Sequence, residues 1–261
     1  MTILKHEFRM GAKALAIWTA AIAGFIACCV FLFPEMAGQM KTVSNIFASM
    51  GAFTAAFGMD RLNFGTLIGF YAVECGNILG LGGAFYAALI AVSALAKEEK
   101  ERTAEFLLSH PVSRVSVISS KLAALVIQIV VMNAVIFALS AACIAAIGEE
   151  PAWKEICLLH LAYFLLQLEL AGICFGISAF LRRGSLGIGL GIAAMMYFLN
   201  IIANISEKAE FLKLITPFGY AEGADIVSNG SLDGKLVLTG MAFALIGVAA
   251  AYWWYSRKDI H

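Results

Sequence analysis

One carboxylate, Glu169, stands inside a long apolar run with Gln167 beside it. A charge at membrane depth is costly, and where it occurs it commonly serves substrate contact, ion contact or a protonation switch. The structural alternative is a protonated carboxyl group hydrogen-bonded inside a helix bundle. Glu169 and Gln167 are therefore the candidate substrate or ion contacts. Glu74 falls near the end of another apolar run, where a structural role is expected. His6, His110, His160 and His261 lie at ends or interfaces of apolar runs and never pair at helical spacing. No HExxH metal motif and no GxSxG nucleophile elbow occurs, so no metal ligand and no catalytic residue is assigned. Cys28, Cys29, Cys75, Cys143, Cys157 and Cys174 show no CxxC spacing and read as buried free thiols, with a Cys143–Cys157 pairing left open. The run GNILGLGG at 76–83 lacks the lysine and the preceding strand of a nucleotide loop. GxxxxGK[ST] is absent, so this chain is expected to cradle no ATP phosphates and to bind no cofactor.

The charged stretch Lys97 to Lys121, KEEKERTAEFLLSHPVSRVSVISSK, is the second concentration of chemistry. Apolar runs flank it on both sides, and a polar segment cannot rest in hydrocarbon, so it is a loop between two spans. It is longer than a turn needs and carries a helical pattern of its own. Glu98, Arg102 and Glu105 share one face, with Glu98 four residues ahead of Arg102, the favourable order. Ala104, Leu107 and Leu108 share another. Pro111 stops the helix, because it lacks an N–H and disfavours helix at His110. Ser113 can then cap a new helix running into the next span. A charged rim beside an apolar ridge suits docking into a groove on a partner. The competing reading is a helix lying on the membrane surface.

The elements that position these groups follow from composition. The chain has 261 residues, 61% hydrophobic and 14% charged, where a soluble protein carries about 25% charged residues. Several runs exceed the ~18 apolar residues that mark a spanning helix. This predicts an all-α polytopic membrane protein with six spans, at roughly 12–33, 70–96, 122–147, 156–180, 185–203 and 236–255. Pro34 and Glu35 are expected to end the first span, and Thr2 to Lys13 to form a separate interfacial helix. Segments 34–69 and 204–235 are polar connections, the first expected to hold interfacial or short re-entrant helices. Gly172/Gly176 and Gly187/Gly191 form GxxxG pairs, read as sites of close helix packing. The net charge is zero, which suggests no nucleic-acid partner.

Six spans put both termini on one side. That side carries Lys5, Arg9, Lys13, Lys97, Lys100, Arg102, Arg114, Lys121, Arg182, Arg183, Arg257 and Lys258, twelve basic residues against six on the other. The bias places both termini and the Lys97 loop in the cytoplasm.

A resemblance joins these observations. The run Glu99 to Arg114, EKERTAEFLLSHPVSR, resembles the coupling segment of type-2 ABC transporter permeases, at Glu99, Arg102, Thr103, Glu105, Leu107, Leu108, Ser109, Pro111, Val112, Ser113 and Arg114. Leu214 to Ile226, LITPFGYAEGADI, is similar to that family's outer segment before the last span, and Arg257 to Ile260 to its usual end. Gly219 departs from the family, which often has a larger or charged residue there. The resemblance covers nearly the whole chain and implies a single permease domain over 1–261. It implies a plasma-membrane, bacterial exporter subunit, not an enzyme. Glu98, Arg102, Glu105, Leu107, Leu108, Pro111, Ser113 and Arg114 would contact a separate ATPase subunit that carries the ATP and magnesium. A second permease chain would complete the assembly, meeting at spans one and five. The alternative reading is an ion-coupled secondary transporter using Glu169, although no convincing internal repeat supports it.

Overall fold

The computed structural model describes residues 2–39, 51–97, 113–181 and 186–257. Every regular element among them is helical, and six helices are long and apolar enough to cross a membrane. They are α1 (Thr2–Ala37), the composite α3–α4 (Leu67–Cys75 and Gly82–Val92), α5 (Arg114–Ile147), α6 (Trp153–Phe180), α7 (Leu186–Ile205) and α9 (Gly234–Arg257). The short helices α2 (Ala52–Ala56) and α8 (Gly223–Asn229) lie in the connections. The six expected spans are present, with shifted ends.

α1 is one helix of 36 residues, not an interfacial helix followed by a span. At 1.5 Å per residue it is about 54 Å long, well beyond the ~30 Å hydrocarbon core. Pro34 lies inside its last turn and does not end it. A proline there removes only one backbone bond, and the adjoining Val30 and Phe33 stay buried, so the helix continues to Ala37. α5 begins at Arg114, eight residues before the apolar run. Ser113 caps it, its hydroxyl accepting from the Ser116 N–H at 3.1 Å. The second span starts at Leu67 under a Thr66 cap and stops at Val92. Leu95 and Ala96 are buried in the turn that follows, so their apolar character reflects packing, not helix.

Residues brought together along the helices fix their directions. Glu7 of α1 meets Lys121 of α5 and Gly11 meets Gln128, so these two run parallel. Tyr71 meets His160 and Gly83 meets Gln167, which sets the second span parallel to α6. Glu169 meets Gly240 and Gly176 meets Gly247, setting α9 parallel to α6 as well. α7 runs against the second span, with Gly189 on Ala88 and Tyr197 on Asn77. Thr2 and Arg257 therefore share one side, called here the terminal side; residues 38–39, 51–66, 148–152 and 206–233 lie on the far side.

The core is made by α6, which is buried against the second span on one face and α9 on another. Glycines allow both contacts. A Cβ on Gly172 would stand 2.8 Å from the Ala244 Cβ, and one on Gly176 would stand 2.6 Å from the Gly247 carbonyl oxygen. Gly172/Gly176 thus serves packing within this bundle. Among the described residues, a Cβ on Gly191 meets nothing within 4 Å. Between α3 and α4 the chain makes a π-helical segment, Gly76–Leu81, whose wider turn sets Gly76 and Gly80 against the Tyr163 ring.

Candidate functional site

Of the eight residues expected to contact an ATPase, Glu98, Arg102, Glu105, Leu107, Leu108 and Pro111 lie outside the described residues, as does the loop helix. Ser113 and Arg114 form the loop's exit. The Arg114 guanidinium donates to the Tyr255 carbonyl at 3.3 Å, tying the start of α5 to the last turn of α9. Two turns further along α5, the Lys121 ammonium pairs with the Glu7 carboxylate at 3.0 Å, and the lysine side chain is 1% exposed. A buried charge is tolerated only with such a partner. Further in, the Tyr86 hydroxyl donates to Gln128 at 3.0 Å, with Gly11 leaving the space that the Gln128 amide fills. The loop's exit is thus joined to α1, α4 and α9 within four turns of α5. Lys97, at the loop's entrance, shares with Glu7, Lys121 and Gln128 a cavity of about 140 Å³.

Glu169 and Gln167 do not converge. Two positions apart on a helix, they point in different directions. The Gln167 side chain faces α5, where Asn133 donates to its Oε1 at 2.6 Å, and it fills the space above Gly83. Asn133 and Gln167 are both buried, so each amide satisfies the other. Glu169 faces α9 and the far-side connection. It is 1% exposed, and the Tyr220 hydroxyl donates to its Oε2 at 2.9 Å. Burial first, then the adjacent carboxylate, hold the Tyr220 phenol well above its ordinary pKa, so it remains a donor. Gly240 closes the site, because any Cβ there would collide with the Glu169 carboxylate. Gly240 is in the second turn of α9, so Glu169 is level with the far-side end of that helix rather than with its middle.

Tyr220 reaches Glu169 because residues 216–224 fold inward. Thr216 through Ala224 are all buried; they follow the 3-10 helix Glu207–Leu214 and run through a 3-10 turn, Pro217–Gly219, into the start of α8. Thr216 holds the entry: its hydroxyl donates to the Met196 carbonyl of α7 at 2.7 Å and accepts from the Phe218 N–H at 3.3 Å. A short helix, α2, lies in the described part of the connection before the second span, and the connection before the last span folds inward at residues 216–224.

Sequence reasoning missed two polar sites. His160, two turns into α6, is buried. Its Nε2 is 2.7 Å from the Tyr71 hydroxyl, and Phe137 stacks edge-on at 5.0 Å. Glu222 is the second. Its Oε2 accepts from the Nδ2 of Asn200 at 3.1 Å and of Asn204 at 2.8 Å. Asn200 and Asn204 are four apart on α7, a same-face spacing that was readable; Glu222 was hidden in a loop motif. The six cysteines are free thiols, Cys143 and Cys157 included, and Cys28 and Cys157 are exposed rather than buried. Among the described residues no group of three or more His, Cys, Asp or Glu is placed to hold a metal ion.

No curated protein matches this chain. The family described as ABC-2 family transporter protein matches it over residues 1–260. With six membrane-crossing helices and that match over nearly its whole length, the chain belongs to the ABC-2 transporter family, as a multi-pass membrane permease component that is not itself the ATPase and whose kind pairs in general with an ABC ATPase subunit.

Proposed function

We propose that this chain is the permease subunit of an ATP-driven exporter in a bacterial plasma membrane, and that loop 97–121 couples it to the ATPase. The observation that carries the reading is the exit of that loop. A capped helix start leads into Arg114 on the α9 carbonyl of Tyr255 and Lys121 on Glu7 of α1. A displacement applied to the loop would therefore reach α5, α1 and α9 together. The ATPase binds ATP and magnesium; the permease supplies the docking residues Glu98, Arg102, Glu105, Leu107, Leu108, Pro111, Ser113 and Arg114. Glu105, Leu107, Leu108, Pro111 and Arg114 carry the transmission contact. A second permease chain, identical or related, completes the assembly, and substrate passes by alternating access between the chains.

The test is purification of the chain from its native membrane with its partners. A soluble subunit with a P-loop should co-purify, and its ATPase activity should respond to the permease. Arg114→Glu and Glu105→Lys should each lower that response by about tenfold or more, the order expected when a charged contact at an interface is reversed. The spans should remain folded by circular dichroism. Normal coupling in both variants removes the loop from the mechanism.

A further inference from the structure

The Glu222 site borders a cavity of about 40 Å³, room for roughly three water-sized groups. Its walls come from Ala56, Phe57 and Leu62, the second span, α6, α7 and residues 218–224, and its polar side chains are Asn77, Tyr163, Tyr197, Asn200 and Glu222. Among its lining residues none is basic and Glu222 is the single acid. Arg61 and Lys213, two basic residues on the same far side, both pair with Asp225.

The hydrogen bonds orient what faces the cavity. A carboxylate only accepts, so both asparagines must turn Nδ2 toward Glu222. Their Oδ1 atoms are then directed elsewhere, and both are buried without a partner. Asn200 is 6% exposed and lines the cavity. The Tyr163 hydroxyl, on a side chain 1% exposed, also lacks a partner and lines the same space. Tyr197 donates to the Asn77 Oδ1 at 3.2 Å, so that pair is satisfied. Buried polar atoms are rarely left unpaired. Here the unpaired ones are oxygens, beside one carboxylate, in a space a few ångströms across. Hard oxygen donors with one negative charge suit a hard monocation or an ammonium group, not a soft metal.

We propose that this cavity binds a small monocation through Glu222, Asn200 and Tyr163: an alkali ion, or the terminal ammonium of a larger ligand. The bound cation supplies the partners that Asn200 and Tyr163 lack. It also holds residues 218–224 against α6 and α7. The site is independent of ATP coupling and is testable on the permease alone, so its failure leaves the exporter reading untouched.

The experiment uses the full chain in lipid nanodiscs. Thermal unfolding is followed at constant ionic strength as choline chloride is exchanged for sodium, potassium or methylammonium chloride. A ligand that binds the folded state raises the unfolding midpoint in a saturable way. Choline has no N–H and is too large for the cavity, so it serves as the blank. Saturable stabilisation by an alkali ion supports a bare ion; greater stabilisation by methylammonium supports an amine-bearing ligand. Glu222→Gln should lose the dependence while keeping an oxygen acceptor for the asparagines. Tyr163→Phe should raise the half-saturating concentration about threefold to tenfold, the equivalent of one lost polar contact. Identical midpoints in all four salts would mean that the cavity holds water alone, and the proposal falls. It falls equally if the dependence survives in Glu222→Gln. Should Glu222→Gln not fold, Tyr163→Phe decides, since it removes only a hydroxyl without a protein partner.

Discussion

Glu169 shows how a buried charge is accommodated before it is used. Tyr220 gives its carboxylate a donor, and Gly240 leaves it room. Glu169→Gln keeps an oxygen that can accept from Tyr220, so the variant should unfold near the wild-type temperature and retain transport. Tyr220→Phe instead strips the carboxylate of that donor. Its expected cost is about 1–3 kcal/mol, the desolvation penalty of a buried acceptor left unmade, read as a lower midpoint in thermal or denaturant unfolding. Loss of transport in a well-folded Glu169→Gln protein would assign Glu169 to substrate or ion contact. The carboxylate itself was visible in the sequence as a charge in an apolar run. Its partner was not, because Tyr220 is fifty-one residues away and reaches Glu169 only through the inward fold of residues 216–224. Gln167 was legible for the same reason as Glu169, but the two face different neighbours, α5 and α9. Adjacency in sequence does not put side chains two apart on one helical face.

At the scale of elements, the spans were legible because hydropathy over some twenty residues reports directly on the cost of exposing backbone to lipid. Their ends were less so. α1 and α5 continue beyond the hydrocarbon because they pack on each other, through Glu7–Lys121 and Gly11–Gln128, and not because those turns are apolar. The glycine pairs carried another kind of ambiguity. Gly172/Gly176 and Gly187/Gly191 look alike in sequence, but Gly172/Gly176 meets α9 while Gly191 meets open space. At Gly176 the neighbour is the α9 backbone, which cannot yield by changing a rotamer. Gly176→Leu should therefore separate α6 from α9 and cost at least about 1–3 kcal/mol, the usual penalty of overpacking. Gly191→Leu should leave the stability of the isolated chain within about 0.5 kcal/mol, as expected of an exposed substitution. Comparison of the two unfolding midpoints in detergent checks the pair. Equal losses would mean that Gly176 is not confined as described.

For the whole molecule, the uneven burial of the six spans becomes a statement about assembly. α6 is enclosed on several sides, whereas α1 and α7 turn large side chains outward: Ile17, Phe25 and Phe31 on the first, Met195, Phe198 and Ile202 on the second. In lipid an apolar surface is no evidence of a partner, because hydrocarbon covers it as well as protein does. A small residue in that surface is more informative, since it lets two backbones approach. Gly191 is such a residue on α7, and the proposed assembly brings spans one and five of two permease chains together. Cysteine at position 191, in a background where the exposed Cys28 and Cys157 are serine, should then form a disulfide-linked or bis-maleimide-linked dimer in native membranes. The same cysteine placed at Leu245, exposed on α9, should stay monomeric under identical treatment. Gly191→Leu should weaken the dimer and reduce transport while the single chain stays folded, because it removes only the close approach between copies. Crosslinking at 245 but not at 191 would move the permease interface to the last span, and would leave the loop's connection through Arg114 to α9 as the shortest route from ATPase to interface.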